Sequence, residues 1–286
     1  MANVGQITVT WNLEWDEEVD VVCTDAGVAG LAGAISAVDG GAEVLVASAP
    51  GPGSAGSSRG RHGWFTLDSG DGETAAYFAE LSEGLDVAAL PQLDGDLPIR
   101  LAADPATMGR RVAPFVGSQL RDWAARCIPS PSGFLYTRVT DWNSRAMESA
   151  DGVAIEVTEI GSMAPDPGDI VGSVLEWLDA EARLRGVDFE PVTRFERLVF
   201  EEGQVIGAVF ATADGLFAVR ARHGVLLCRA GFPDRRASPP PKAADSVLGV
   251  ALVSKAASRF GRVELMTSDP AVARAVGTPS VGLEHA

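Results

Sequence analysis

Residues 19–47 constrain the fold of this chain more than any other stretch. Val19 to Thr24 (VDVVCT) is a short β-branched run flanked by acidic residues, the pattern of a buried parallel strand rather than an alternating surface one. Gly27, Gly30, Leu31, Ala34, Ile35 and Val38 then place small and apolar residues at helical spacing, and Gly40-Gly41 stops the helix. Glu43 to Ala47 (EVLVA) supplies the next strand. The segment therefore reads as a βαβ unit with a Gly-rich first turn, within about thirty residues.

In such a turn a first glycine makes the tight bend, a second lets the backbone approach a pyrophosphate, and a third permits close helix-to-strand packing. Here the sequence is Asp25-Ala26-Gly27-Val28-Ala29-Gly30, so the second and third glycines are present and Asp25 takes the first place. A carboxylate there adds a side chain at the bend, and a negative charge where a helix N-terminus would receive a diphosphate. Ser48 stands where an acidic residue would hold ribose hydroxyls; it can still hydrogen-bond one, without charge assistance. Two readings stay open: a ligand-binding turn, or glycines that only pack a helix against a sheet.

Downstream, Val174 to Arg185 has apolar residues at helical spacing, Gly186 ends it, and Val187 to Pro191 reads as a strand. Arg197 to Phe200 and Val205 to Ala211 flank the turn Glu201-Glu202-Gly203-Gln204 as a hairpin. Leu216 to Arg220 and Gly224 to Cys228 read as two more strands. The order of helix, strand, meander and apolar strand, ending in Val225-Leu226-Leu227-Cys228-Arg229-Ala230-Gly231-Phe232, resembles the FAD-dependent fumarate reductase/succinate dehydrogenase flavoproteins and 3-ketosteroid 1-dehydrogenases. So does the loop Gly53 to Gly63 (GSAGSSRGRHG), with Ser58-Arg59-Gly60 where that family often has Ser-Gly-Gly. Residues 17 to 65 and 170 to 232 carry the likeness.

The resemblance implies an α/β fold: a Rossmann-like FAD-binding domain with a β-meander, discontinuous over 1–65 and 168–235, and an inserted α+β cap domain over 66–167. Residues 236–286 follow as a Pro-rich linker and a short C-terminal segment. It further implies FAD as cofactor, contacted by Gly27, Ala29, Gly30, Ser48, Ser58, Arg59, Gly60, Phe195 and Gly231. Arg59, Arg229 and Ala230 replace the family's small residues near the cofactor, where they either fill its space or, for Arg59 with Arg61, pair with phosphates or an acidic substrate. Family members run much longer after this strand, so a partner chain is expected to supply the remaining substrate domain, or a second copy to complete it. A cofactor-free structural or regulatory subunit is the alternative.

Single residues offer less. His62, in the Gly-rich loop, and Tyr136, in an apolar strand, are candidate acids or bases; the plain alternatives are a solvated loop histidine and a packing tyrosine. Within the middle segment Thr74 to Leu81 and Ala106 to Cys127 have helical spacing, while Phe134 to Val139 and Val153 to Ile160 read as strands. Ser246 to Val253 and Arg262 to Thr267 are expected to form an edge hairpin or to dock on a partner. Cys23, Cys127 and Cys228 lie far apart among apolar residues and read as buried thiols, with no metal spacing. A formal charge of −16 disfavours nucleic acid and anionic lipid as partners. No apolar stretch reaches the ~20 residues of a membrane span and no leader pattern opens the chain, so a cytoplasmic protein is expected.

Overall fold

The computed structural model describes residues 13–49, 71–90, 97–103, 117–138, 144–149, 154–228 and 246–275. The βαβ unit forms as β1 (Glu17–Cys23), α1 (Val28–Asp39) and β2 (Val44–Ser48), with Gly40 capping the helix and Gly41 at φ 84 turning the chain out of it. β1 and β2 pair in parallel, and successive residues of β2 bury on opposite faces: Val44 and Val46 on one, Leu45 and Ala47 on the other. Burial on both faces explains why these strands are continuously apolar.

The middle of the chain adds α2 (Gly72–Leu81), β3 (Ile99–Ala103), α3 (Gly117–Cys127), β4 (Gly133–Tyr136), β5 (Arg145–Ser149) and β6 (Ala154–Met163). β3 and β5 have no counterpart in the sequence reading. α4 (Ile170–Leu184) follows, capped by the Asp169 carboxylate on Gly172 N–H at 3.0 Å, and Gly186 at φ 70 releases the chain into β7 (Asp188–Pro191). The meander is β8 (Arg194–Glu201), β9 (Gln204–Ala211) and β10 (Leu216–Cys228). Glu202 at φ 50 and Gly203 at φ 76 make the tight two-residue turn expected of the hairpin.

Where two strands were expected over 216–228, there is one. β10 runs unbroken beside β1, and a bulge absorbs the break: Val19 pairs with Ala221 but Val21 with Gly224. The bulge presents Arg222 to Asp20 at 2.7 Å, and Arg222 also ion-pairs with Glu43. Gly224 closes it at φ 134, with its missing Cβ facing the Tyr136 ring at 3.2 Å, so no other residue fits without strain.

The C-terminal strands β11 (Leu248–Ser254) and β12 (Phe260–Thr267) form the expected hairpin, followed by the short helix α5 (Pro270–Ala275), but they lie inside the sheet rather than at its edge. β11 pairs with β6; β12 pairs with both β3 and β4. With β3–β5 and β5–β6 pairing as well, strands β3, β5, β6, β11 and β12 close into a ring. β4 joins this ring to β10, and from there the sheet continues β1, β2, β7. α1 and α4 cover one face, α2 and α3 the other.

A buried ion cluster ties the ring together. Glu264 on β12 is fully buried and receives Arg100 of β3 and, at 2.7 Å, Arg262 of its own strand. Arg100 also donates to Ser149 Oγ of β5 at 2.5 Å. Burial would raise the Glu264 pKa, but the two guanidiniums outweigh it and hold the group below its ordinary value.

Candidate functional site

α1 starts at the C-terminal end of β1, between its parallel neighbours β2 and β10, where a doubly wound sheet opens its ligand crevice. The helix has no side-chain N-cap and no acidic residue in its first turn. The amide of the N-cap residue Gly27 is answered by Asp25, whose Oδ2 accepts the Gly27 N–H at 2.8 Å. A carboxylate therefore stands just before the N-terminus of α1, where the helix dipole favours negative charge.

Gly30 packs α1 against the end of β1 as the spacing predicts. A Cβ on Gly27 would lie 2.7 Å from Asp25 Oδ2, so glycine there makes room for that carboxylate. A Cβ on Gly30 would meet the Asp25 carbonyl oxygen at 1.7 Å, so α1 can lie this close to the end of β1 only with glycine there. Gly33, which the sequence reading passed over, does the same against Leu226 Cδ2 at 2.2 Å. The bend itself is undemanding: the residues with positive φ among those described do not include Asp25, so the missing first glycine costs no backbone strain.

The charge is the real conflict. Burial pushes Asp25 up to about 6, against the hydrogen bonds from Gly27 and Ala26 that favour its ionised form. The side chain of Asp25 thus occupies the Gly27 amide at the head of α1, with its charge where the helix dipole is positive.

Ser48 closes β2 and is half-buried; its carbonyl accepts Val192 N–H at 3.0 Å, so the end of the strand is held against the residue following β7. Ala29 is buried in the first turn of α1. Phe195 stacks edge-on against Phe210 with ring centroids 5.8 Å apart, a packing contact within the meander. Tyr136 is buried, donates its hydroxyl to the His223 carbonyl at 2.8 Å, and is pushed well above its ordinary pKa by burial. Ser58, Arg59, Gly60, His62 and Gly231 lie outside the described residues. All three cysteines are buried, and burial pushes the Cys23 thiol up to about 12. Among the described residues no three potential metal ligands cluster, and no helix is long and apolar enough to cross a membrane.

Residues 20–257 match the family model described as FAD binding domain. No curated protein matches the chain. Among solved structures it is similar to a 3-ketosteroid-Δ4-(5α)-dehydrogenase from Rhodococcus jostii RHA1, at 22% identity over 77% of this chain and 47% of that one, with a TM-score of 0.34. It is similar also to a flavocytochrome c3 fumarate reductase, at 17% identity over 72% of this chain and 33% of that one, TM-score 0.29. A geranylgeranyl bacteriochlorophyll reductase-like protein from Thermoplasma acidophilum matches at 16% identity over 72% of this chain and 38% of that one, TM-score 0.27. The chain spans less than half the length of each of these three.

Proposed function

The chain belongs to the FAD binding domain family, and from that premise we propose that it is the flavin-holding part of an oxidoreductase. The observation that carries the proposal is the anion-accepting amide of Gly27 at the head of α1, set between parallel strands and flanked by Gly30 and Gly33. FAD, when bound, supplies hydride transfer at its isoalloxazine ring. The residues do the rest: the Gly27 N–H and the first turn of α1 bind the diphosphate, Ser48 orients a ribose hydroxyl, and Gly30 with Gly33 keeps the helix close enough for that approach. In its ionised form Asp25 repels and competes with the diphosphate; once protonated, it no longer opposes the phosphate charge.

The resemblance in sequence supports a ketosteroid-like ketone or an unsaturated acid as substrate. It also supports a companion chain, or a second copy, as the source of the groups that close over it. A cofactor-free regulatory or structural subunit is the second reading, favoured by Asp25 itself, which already satisfies the turn without a ligand.

Absorbance between about 300 and 550 nm, of the purified protein and of the supernatant after denaturation, tests the first reading. Bands near ~370 and ~450 nm support it. A colourless protein that remains so after incubation with FAD at pH 5 and pH 8 leaves the second reading in possession.

A further inference from the structure

A cavity of about 580 Å³ opens on the α1 side of the sheet, between that helix, β4 and the β5–β6–β11 side of the ring. It is separate from the glycine turn: none of residues 25–30 lines it, and α1 contributes Gly33 alone. Its volume is in the range of small-molecule sites, roughly 300–1,000 Å³.

Its chemistry is unlike that of the chain as a whole. The floor is apolar, with Phe134 from β4, Leu226 from β10 and Leu252 from β11. Three cations, Arg138, Lys255 and Arg259, line it against one carboxylate, Glu156, in a protein of net charge −16. Glu156 is already engaged, accepting the Ser144 hydroxyl at 2.9 Å. Arg259 donates to the Tyr77 hydroxyl at 3.2 Å, a neutral partner. Arg138 and Lys255 have no carboxylate within ion-pair distance among the described residues, although both are half-buried. Partly desolvated cations that share a cavity and lack an anion create a field that a negatively charged ligand relieves. Ala257 holds the turn between β11 and β12 at φ 62, and that turn carries both Lys255 and Arg259 to the cavity.

We infer that this cavity binds a small amphipathic acid, its carboxylate facing Arg138 and Lys255 and its apolar body lying on Phe134, Leu226 and Leu252. The site is independent of flavin binding and of whether the chain is an active oxidoreductase.

The test uses 2-naphthoate as probe, with neutral 2-naphthamide as control, in calorimetry and saturation-transfer NMR on the full chain. The acid is expected to bind at least roughly tenfold more tightly than the amide, because the charge is recognised and not only the ring. The double variant Arg138→Ala/Lys255→Ala should lose at least roughly tenfold in affinity for the acid with an unchanged melting temperature. Ala146→Trp, at an exposed lining position on β5, should block both probes. Saturating FAD should leave the affinity for naphthoate unchanged. Equal binding of acid and amide overturns the inference, as does undiminished binding by either variant, displacement by FAD, or no binding of naphthoate.

Discussion

Asp25 is the residue at which sequence and structure bear most directly on each other. Its place in the glycine motif was legible in the sequence, and so was the conflict of its charge with a phosphate. Its hydrogen bond to Gly27 was not, because a motif reports spacing and says nothing of rotamer. The same limit hid the unstrained bend, which removes the steric half of the objection to Asp25. The raised pKa has a consequence for stability. Asp25 titrates near 6 when folded and near 3.8 otherwise, so its ionised form costs the fold stability above pH 6. That cost falls away as pH drops from 6 toward 3.8. Asp25→Asn keeps an acceptor for Gly27 without the charge, and is expected to melt higher than wild type at pH 8, by on the order of 1 kcal/mol, and no higher at pH 4. Thermal unfolding at the two pH values checks this; equal melting at pH 8 would show that the carboxylate is not desolvated.

Among the elements, α1 was the easiest to read and β10 the hardest to read correctly. Glycines at 27 and 30 carry a spacing signal, whereas a strand with a bulge at Arg222 and His223 looks like two short strands in one dimension. Gly30→Ala sets a Cβ against a backbone carbonyl at 1.7 Å, so α1 must shift away from β1. A loss of roughly 2 kcal/mol or more in denaturant unfolding is expected. Gly72→Ala, whose Cβ meets nothing within 4 Å at the start of α2, should instead gain about 0.5 kcal/mol. In β12, Glu264→Ala leaves two arginines without their buried partner, with an expected cost of roughly 3–5 kcal/mol. Because its folded pKa lies below 4.5, Glu264 contributes stability that is present above that value and lost as pH falls through the folded pKa. The variant should therefore show a shallower loss of stability in acid than wild type does.

At the scale of the whole molecule, the parallel half was legible and the ring was not. Strands β1 and β2 are neighbours in a βαβ unit that local periodicity exposes, and the resemblance in sequence brought the distant β7 and β10 into the same parallel domain. The ring is assembled from strands up to about 165 residues apart, and nothing local marks Leu265 as a partner for Ile99 or Ala251 as one for Glu159. A chain ending at residue 245 would take from β3, β4 and β6 one of the two strands that each pairs with and open the ring, and is expected to lose cooperative unfolding. A single sharp transition at the full-length midpoint would contradict that role for β11 and β12. Three of the nine residues named as cofactor contacts, Gly27, Ala29 and Gly30, meet at the head of α1; Ser48 stands at the end of β2, and Phe195 packs within the meander. Flavin binding by this chain, as proposed, turns on the charge that Asp25 sets before α1. The direct test is the FAD dissociation constant of wild type and Asp25→Asn, measured by flavin fluorescence quenching at pH 5 and pH 8. Binding by Asp25→Asn about tenfold tighter at pH 8 (~1.4 kcal/mol), converging with wild type at pH 5, is the predicted result. Affinities that match at both pH values, or no binding by either protein, would contradict it.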